Sequence, residues 1–561
     1  MNSPLPPKVK AGQVMATGYA TPKEDKIPQT LRVPPKRVLP IVFLPGIMGS
    51  NLRMSRERQR QLNRKNNIAW RPDRITEALG LISADPAMRQ LQLDPLTTEV
   101  DSYDEGEAPT GNNSETAQER QANGRVRVKI PSGDSLLLVD DPPTQHSARS
   151  KEEKALERGW GEIYFSSYRH ILETCEQDLN GPIAAGGLTR VVDVDPTQWG
   201  ATESPKLTPL TDEDLKKAVK GCLFPVHAMG YNWLHPADSS ATLLAKRIQN
   251  LIDKYSAQGL QCKKVILVTH SMGGLVGRAL VHPEMGNMGE KILGTVHGVL
   301  PAVGAPAAYK RMRCGFEEGP FGLSPAPKIL GNFGSEVTAV LGNSIGGLQL
   351  LPSCEYGNGW LKVMANGVVL ESFPKAGDPY REIYQLKDRW FGLLRDEWLN
   401  PARSDVSSFK MSCQRLERAK AFHLAIAATY HPQSFAHYGA DARRHSWESI
   451  TWNFDSTRVP AHWEKLVIRS DSQQGKLILE DPEAVPGVHQ SVKVFLGKSS
   501  GPGDETVPAK SADHQFVNGK FKGIFRQTGY EHQASYSDTK AVLSTLFSIV
   551  KIALTMDWNE P

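Results

Sequence analysis

The chain has 561 residues, which at roughly 150 residues per domain excludes one small module and leaves about three or four domains, or one core with large insertions. Its 39% hydrophobic residues and 48 glycines are typical of a globular protein with a sizeable buried core. The 66 Lys and Arg residues against 61 Asp and Glu residues leave a net charge of only +5, which argues against a dedicated nucleic-acid surface.

The cysteines and the targeting signals narrow the class further. No CxxC pair and no His-rich segment of metal-site spacing accompanies the six scattered cysteines Cys175, Cys222, Cys262, Cys314, Cys354 and Cys413. The sequence contains neither the apolar stretch of a secretory signal nor a charge-free apolar run of membrane-spanning length. We therefore expect a chain made in the cytoplasm whose export, if any, uses a route without a cleavable signal.

Short apolar runs in chain order predict the strands of the core. Residues 1–37 are rich in proline and poor in large apolar groups, so they are expected to form a flexible tail. The run VLPIVFL at 38–44 stops at a Pro-Gly turn and is typical of a buried strand. Two similar runs follow at 264–268 and 292–299. The fold is thus expected to begin after the tail.

Helices are predicted between these strands. In residues 238–255 the apolar side chains recur with a period of 3.6 residues, which predicts an amphipathic helix with Asp238 or Ser239 as its N-cap. A second helix is expected directly after Ser271. Strands that alternate with helices predict an α/β protein with a mostly parallel sheet.

Two long stretches interrupt this alternation, and we interpret both as insertions into one core. The predicted division is a tail at 1–37, a core at 38–55, 221–310 and 460–561, a first insertion at 56–220, and a second, cap or lid insertion at 311–459.

The strongest chemical signal is VILVTHSMGG at residues 265–274. A strand that runs straight into Ser271 and then into a helix is the context of a nucleophile elbow, a strained turn that lifts a serine hydroxyl above the sheet edge. Gly273 and Gly274 supply the small residues that the turn needs, whereas Thr269 replaces the first glycine of the usual GxSxG pattern. A plain helix start is the alternative, and we predict Ser271 as the nucleophile.

A serine hydroxyl needs a base, and the base needs an orienting acid further along the chain. The Gly-rich loop GPGDETVP presents Asp504, and the segment GYEH ends at His532. Either residue alone would more often be structural, but their order after an elbow predicts Asp504 as the acid and His532 as the base. The alternatives are Glu505 and Glu531 as acids and His514 as base.

The tetrahedral intermediate of such a reaction needs backbone N–H donors. The amide of Met272, directly after the nucleophile, is one expected donor. The other is the amide of Ile47 in the loop LPGIMGS, where Gly46 lets the backbone turn without a side chain in the way. A plain strand-ending turn is the alternative interpretation of this loop.

These motifs carry a family resemblance. In chain order, FLPGIMGSNL, GYNW, THSMGG, GDETVP and GYEH resemble the landmarks of the lecithin:cholesterol acyltransferase-like branch of α/β-hydrolases, and the chain is most similar to bacterial lipase effectors of type VI secretion. The resemblance covers residues 38–55, 221–310 and 485–545, and it implies an α/β-hydrolase fold. It also assigns the family's oxyanion amide, acid and histidine to Ile47, Asp504 and His532.

The resemblance implies a phospholipase A type serine hydrolase that cleaves acyl esters of membrane glycerophospholipids under a cap. It further implies an antibacterial toxin that acts at the target-cell periplasm or membrane, with a cognate immunity protein and a secretion-apparatus component as partners and no nucleic acid. The triad chemistry requires no metal or organic cofactor. The alternatives are an acyltransferase or general esterase with the same triad, and a non-catalytic binding protein on a hydrolase scaffold.

Some positions bear on substrate recognition rather than on the triad. The family's Tyr-Asp-Trp is Tyr231-Asn232-Trp233 here, and Glu505 stands for the second glycine of its GDGTVP. Candidate pocket residues are His270, His297 and Tyr231. The apolar side chains among the glycines of 311–360 are compatible either with a mobile lid or with residues that cover the core. The basic run at 53–65 is compatible either with binding of anionic lipid headgroups or with a solvated helix face.

Overall fold

The computed structural model describes most of the chain. The described residues are 8–10, 13–18, 29–33, 35–73, 83–102, 128–130, 137–142, 148–181, 187–317, 329, 331–456, 459–483, 491–517 and 519–559. Three of the apolar residues considered for a lid, Phe321, Leu323 and Leu330, lie outside this set.

A six-stranded parallel sheet forms the centre of the molecule. Its strands are β1 (Ile41–Leu44), β2 (Val226–Ala228), β3 (Val265–His270), β4 (Ile292–Gly298), β5 (Ser434–Gly439) and β6 (Phe521–Gln527). The order across the sheet is β2-β1-β3-β4-β5-β6, and every neighbouring pair is parallel. The prediction of an α/β fold with a mostly parallel sheet is confirmed. All six carboxyl ends meet at one edge, where ligands of such sheets bind.

The alternation of side chains along the strands divides the core into two layers. Val42, Leu44, Val265 and Leu267 pack in one cluster with apolar residues of the helices Ala237–Ala257 and Met272–Val281. Ile41, Phe43, Ile266 and Val268 pack in the other cluster with the helices Phe165–Asn180 and Thr539–Ala553. A sheet covered by helices on both faces needs strands that are apolar throughout, which is why these runs do not alternate with polar residues.

The helix predicted at 238–255 is present and begins and ends within two residues of that range, at Ala237–Ala257. Its N-cap is Pro236, so the predicted caps Asp238 and Ser239 lie in the first turn instead.

Within the described residues, no helix is both long and apolar enough to cross a lipid bilayer. The remaining α-helices of the described chain are Arg56–Gln61, Pro86–Gln92, Lys151–Glu157, Phe165–Asn180, Asp212–Val219, Met272–Val281, Pro306–Cys314, Gly334–Leu341, Ile345–Leu348, Asp396–Leu399, Phe409–Ile426, Ala509–Ala512, His514–Val517 and Thr539–Ala553.

A second, mixed sheet of six strands lies in the cap. In spatial order its strands are Val368–Phe373, Leu361–Ala365, Ile450–Phe454, Ser491–Leu496, Lys476–Glu480 and Val467–Asp471. Leu341, Leu348 and Leu351, which the sequence could also place in a lid, are buried in the same cluster as the core. At these positions the apolar residues cover the core.

The structure differs from the predicted domain boundaries in three places. Ser434–Gly439 is a central strand inside the stretch assigned to the cap. The strands between 467 and 496 join the second sheet, although the sequence assigned 460–561 to the core. The helix Phe165–Asn180 lies in the predicted first insertion but covers one face of the central sheet. Each difference arises because strand pairing and helix docking over long sequence separations leave no local pattern.

Strands are also present in the predicted tail. Lys8–Lys10, Gln13–Gly18 and Gln29–Val33 form a three-stranded antiparallel sheet, where the sequence predicted a flexible tail. The short apolar run within QVMATG is the local signal for a strand, and the high proline content of the segment obscures it. The smaller sheets pair Arg37–Val38 with Cys222–Leu223, Leu52–Met54 with Ile68–Trp70 and Thr98–Val100, and Asp441–Ser446 with Gly501–Gly503.

Candidate active site

Ser271 lies in the sharp turn between β3 and the helix Met272–Val281. Its backbone has φ 52° and ψ −123°, a region that side-chain-bearing residues rarely adopt and that costs about 1 to 3 kcal/mol. The Ser271 amide donates to the carbonyl of Gly298, and the Gly274 amide donates to the carbonyl of Ser271, both at 2.9 Å. These hydrogen bonds hold the turn at the carboxyl edge of the sheet, as the elbow interpretation requires.

Close backbone packing explains the glycines around the turn. A Cβ on Gly273 would lie 2.5 Å from the Pro45 carbonyl oxygen, so only glycine lets the helix approach the end of β1. A Cβ on Gly46 would lie 3.1 Å from the Ser271 Cβ, which places the Gly46 loop directly against the Ser271 turn. A Cβ on Gly277 would lie 3.2 Å from Thr269 Cγ2, so Gly277 leaves room for the threonine that replaces the usual elbow glycine.

Ser271, His532 and Asp504 form one chain of hydrogen bonds. Ser271 Oγ lies 2.8 Å from His532 Nε2, and His532 Nδ1 lies 2.8 Å from Asp504 Oδ2. Because an ionised carboxylate only accepts, Nδ1 carries the proton and Nε2 is free to accept from the serine hydroxyl. The three residues are 5%, 7% and 1% exposed, respectively. The arrangement can take a proton from Ser271 and stabilise the resulting imidazolium.

The Asp504 carboxylate is fixed by its own loop. Its Oδ1 accepts from the amides of Thr506 at 3.1 Å and Val507 at 2.7 Å, which leaves Oδ2 for the histidine. The Asp504 amide donates to Ser446 Oγ, and the His532 amide donates to the Asp504 carbonyl. Acid and base are thus joined through backbone as well as side chain. Ser446 was not predicted, because it lies in a strand outside every motif.

The alternative acids and base lie elsewhere. Glu505 is exposed and paired with Arg444. Glu531 accepts from the amides of Gln533 and Ala534, so its carboxylate closes a local turn. The Nε2 of His514 lies 3.5 Å from a carboxylate oxygen of Glu355. The structure brings none of these three side chains into hydrogen-bond contact with Ser271 or His532.

The two residues with the expected oxyanion donors belong to segments that adjoin Ser271. Met272 is the first residue of the elbow helix, and Ile47 follows Gly46 in the loop that lies against Ser271. Within the described residues, neither backbone amide donates to a protein acceptor. Met48 has φ 60°, and its carbonyl accepts from Trp70 Nε1 at 2.6 Å. The positive φ and the tryptophan contact fix the residue that follows Ile47 in this loop.

A buried relay connects the Ile47 loop to the candidate base. The Gly46 amide donates to Tyr168 Oη at 3.1 Å, Tyr168 Oη lies 3.0 Å from His270 Nδ1, and His270 Nε2 lies 3.0 Å from the His532 carbonyl oxygen. Burial lowers the pKa of His270 to about 3, so the ring is neutral. Since Nε2 faces a carbonyl, it is the donor, and Nδ1 accepts from the Tyr168 hydroxyl. Every proton in the relay is therefore assigned.

Tyr168 is the main residue of the site that sequence reasoning missed. It belongs to the helix Phe165–Asn180 in the predicted first insertion and is fully buried. Burial raises the pKa of its hydroxyl to about 12, which keeps it protonated as a donor. No local motif marks it, because its two partners lie more than 100 residues away along the chain.

The three candidate pocket residues have structural contacts. His270 belongs to the relay. Tyr231 donates its hydroxyl to the Pro45 carbonyl at 2.8 Å and thereby anchors the Ile47 loop. His297 lies beneath the elbow rather than beside Ser271, with Nδ1 3.1 Å from Thr269 Oγ1 and its ring against Tyr430 and Phe521. The expected place of His297 in the pocket is therefore corrected: its strand position points it into the core.

The two departures from the family pattern have local explanations. Asn232 Nδ2 donates to the Thr98 carbonyl at 2.9 Å, a contact in which an aspartate would place two acceptors together. Glu505 has φ 71°, a left-handed conformation that favours the glycine of the family pattern.

The basic run at 53–65 is partly used inside the protein. Arg53 is buried and pairs with Glu99 at 2.7 Å, and Arg58 pairs with Asp94 at 2.6 Å. Neither arginine is a free surface charge.

Among the described residues, no group of three or more His, Cys, Asp or Glu side chains could hold a metal ion.

Comparison with known proteins shows an extensive structural match. The chain superposes on a chain of the crystal structure of the Tle4–Tli4 complex with a TM-score of 0.72 and 30% sequence identity, covering 93% of this chain and 99% of the other. A family model described as the PGAP1-like alpha/beta domain matches residues 236–313, which include the elbow. None of the curated proteins matches the chain significantly. The structural match therefore extends over core and cap together.

We expect Tyr168→Phe to lower kcat for a short-chain p-nitrophenyl ester about tenfold with little change in KM. The substitution leaves the Gly46 amide and His270 Nδ1 without a partner, so the Ile47 loop and the base lose their common support. Steady-state kinetics measure the effect.

Tyr164→Phe is the matched control, because within the described residues its hydroxyl has no hydrogen-bond partner. This control should retain the kcat of the unmodified protein. Equal kcat values for Tyr168→Phe and Tyr164→Phe would contradict a positioning role for the relay.

Proposed function

Because the chain belongs to the Tle4 family of type VI lipase effectors, which are lipase-type α/β-hydrolases, we propose that it is a serine hydrolase that cleaves acyl esters of membrane glycerophospholipids. The observation that carries this proposal is the hydrogen-bonded chain from Ser271 Oγ through His532 to Asp504, with both contacts at 2.8 Å. The catalytic residues proposed are Ser271, His532 and Asp504.

Acylation begins when His532 Nε2 takes the proton of the Ser271 hydroxyl and Oγ attacks the ester carbonyl carbon. The carbonyl oxygen becomes an oxyanion, which the amides of Ile47 and Met272 stabilise by hydrogen bonds. The intermediate collapses with cleavage of the ester bond, and the imidazolium of His532 gives its proton to the leaving alcohol. Asp504 stabilises that imidazolium throughout.

Deacylation repeats these steps with water. His532 removes a proton from the attacking water, the oxyanion forms again at the same two amides, and the fatty acid leaves as Ser271 recovers its proton. Every proton passes through His532 Nε2, so the fixed Nδ1 contact with Asp504 is what keeps the ring in the productive tautomer. An acyltransferase would differ only in using an alcohol in place of water.

The resemblance to lipid acyl hydrolases and the match across both core and cap support the phospholipid substrate. A strained backbone at Ser271 also favours an enzyme over a binding protein on the same scaffold, because a binding role gives no reason to maintain that strain.

We expect the full-length protein to release fatty acid from phospholipid vesicles, and Ser271→Ala to reduce the rate at least about 1,000-fold. Vesicles of phosphatidylethanolamine and phosphatidylglycerol, labelled separately on each acyl chain, report hydrolysis, acyl position and headgroup preference by thin-layer chromatography. Addition of an alcohol acceptor detects acyl transfer.

The matched control is Ser470→Ala, which removes the hydroxyl of an exposed serine on the cap strand Val467–Asp471. This variant should release fatty acid at the rate of the unmodified protein. If the unmodified protein cleaved short-chain esters but released no fatty acid from any phospholipid, a general esterase would replace the phospholipase proposal.

We further propose that the protein is an antibacterial effector that acts at the periplasm or membrane of a target cell, with a cognate immunity protein and a component of the secretion apparatus as partners. The matched structure is a complex of Tle4 with Tli4, which supports a dedicated protein partner for this chain as well. No nucleic-acid partner is proposed.

We expect expression of the protein with a periplasmic signal to stop bacterial growth, and Ser271→Ala in the same vector to permit it, because membrane damage depends on the nucleophile. Growth curves and viable counts measure the effect, with immunoblots to confirm equal protein levels. Retained toxicity of Ser271→Ala would contradict an enzymatic basis for the effect.

A further inference from the structure

A cavity of about 440 Å³ lies where the cap meets residues 90–96 and 234–239, and neither Ser271 nor His532 lines it. It is bounded by the helices Pro86–Gln92, Gly334–Leu341 and Phe409–Ile426, together with the loop after the first of these and the short helix Ile345–Leu348. Its volume falls in the range of about 300 to 1,000 Å³ that is usual for small-molecule sites.

The wall of the cavity is largely apolar. Leu96 stands at its rim and is 70% exposed, so the apolar surface of the cavity reaches the solvent. The apolar lining side chains include Leu93, Pro95, Leu96, Leu234, Ile345 and Met411. Such a surface suits a hydrocarbon chain.

Arg415 supplies a cation to this apolar wall. Its guanidinium is half-buried and donates to Asn343 Oδ1 at 3.3 Å and to the Val406 carbonyl at 2.7 Å. Within the described residues it has no carboxylate at ion-pair distance, so its direct contacts are with neutral acceptors. Burial lowers its pKa, and the more distant Asp94 carboxylate only partly opposes this effect.

The other ionisable groups of the lining leave this positive charge in place. The Asp94 carboxylate is paired with Arg58 at 2.6 Å, and His235 Nε2 donates to the Pro95 carbonyl at 2.7 Å. Arg418 adds a second, more exposed cation, 3.9 Å from Asp238. The lining therefore offers an anionic group two cations, Arg415 and the more exposed Arg418.

We propose that this cavity binds a long-chain fatty acid, with its carboxylate on Arg415 and its hydrocarbon chain along the apolar wall. A guanidinium presents a planar pair of donors that matches a carboxylate. The ligand belongs to the class of product that the proposed hydrolysis releases, but binding itself does not require catalysis.

The site also borders the elbow. Ile345 lines the cavity, and the next residue, Gly346, lies against the Met272 side chain, since a Cβ there would be 3.0 Å from Met272 Cε. One short helix thus separates the bound fatty acid from the residue that follows the nucleophile.

The test uses the full-length Ser271→Ala protein, so that fatty acid binding is measured without hydrolysis. Palmitate, hexadecanol, dodecyl phosphate and inorganic phosphate each compete with a fluorescent fatty acid below its micelle concentration. We expect Arg415→Gln to weaken the binding of palmitate at least about tenfold and to leave the binding of hexadecanol unchanged, because only the carboxylate interacts with the guanidinium.

Met411→Trp provides an independent variant, because the indole would fill the cavity and weaken the binding of palmitate and of hexadecanol alike. Arg469→Gln, which changes an exposed arginine on the cap strand Val467–Asp471, is the matched control and should bind both as before. Thermal unfolding verifies that each variant is folded.

The proposal is overturned if palmitate does not bind, if Arg415→Gln binds it as tightly as the parent protein, or if Met411→Trp does so. Tighter binding of dodecyl phosphate than of palmitate would also overturn it in favour of a lipid phosphate ligand. A failure of the unmodified protein to hydrolyse phospholipid would refute the proposed function but leave this binding result unaffected.

Discussion

The strained turn at Ser271 is the constraint on which the site depends. A backbone at φ 52° and ψ −123° is held only because the parallel sheet, the Gly298 carbonyl and the close approach of Gly46 and Gly273 fix the chain on every side. The turn lifts Oγ to the edge where the strands end, within reach of a histidine that follows β6. Without that conformation, the hydroxyl and the imidazole would not meet.

Two buried histidines with different hydrogen-bond partners pack near the turn. Both rings that pack near it, His270 and His532, are buried, but only His532 has a carboxylate partner. His270 is neutral and serves as a hydrogen-bond bridge to Tyr168 and Gly46. The two neighbouring histidines thus have different environments, which suit His532 to the proposed role of base and His270 to a proposed positioning role.

Sequence reasoning located the parts of this site that have local patterns. The strand before Ser271, the helix after it and the Gly-rich loop of Asp504 each leave a signature in a few consecutive residues. Tyr168, Ser446 and the strand Ser434–Gly439 leave none, because their roles come from contacts with distant segments. The pocket prediction for His297 fails for a related reason: a strand pattern does not tell which face a residue presents.

The most direct test of this account is covalent labelling of the nucleophile. With a long-chain alkyl fluorophosphonate, the folded protein should acquire one adduct, located on Ser271 by mass spectrometry, and His532→Ala should slow labelling at least about 1,000-fold while His514→Ala labels at the parent rate. Labelling of His532→Ala at the parent rate, or an adduct on any serine other than Ser271, would contradict it.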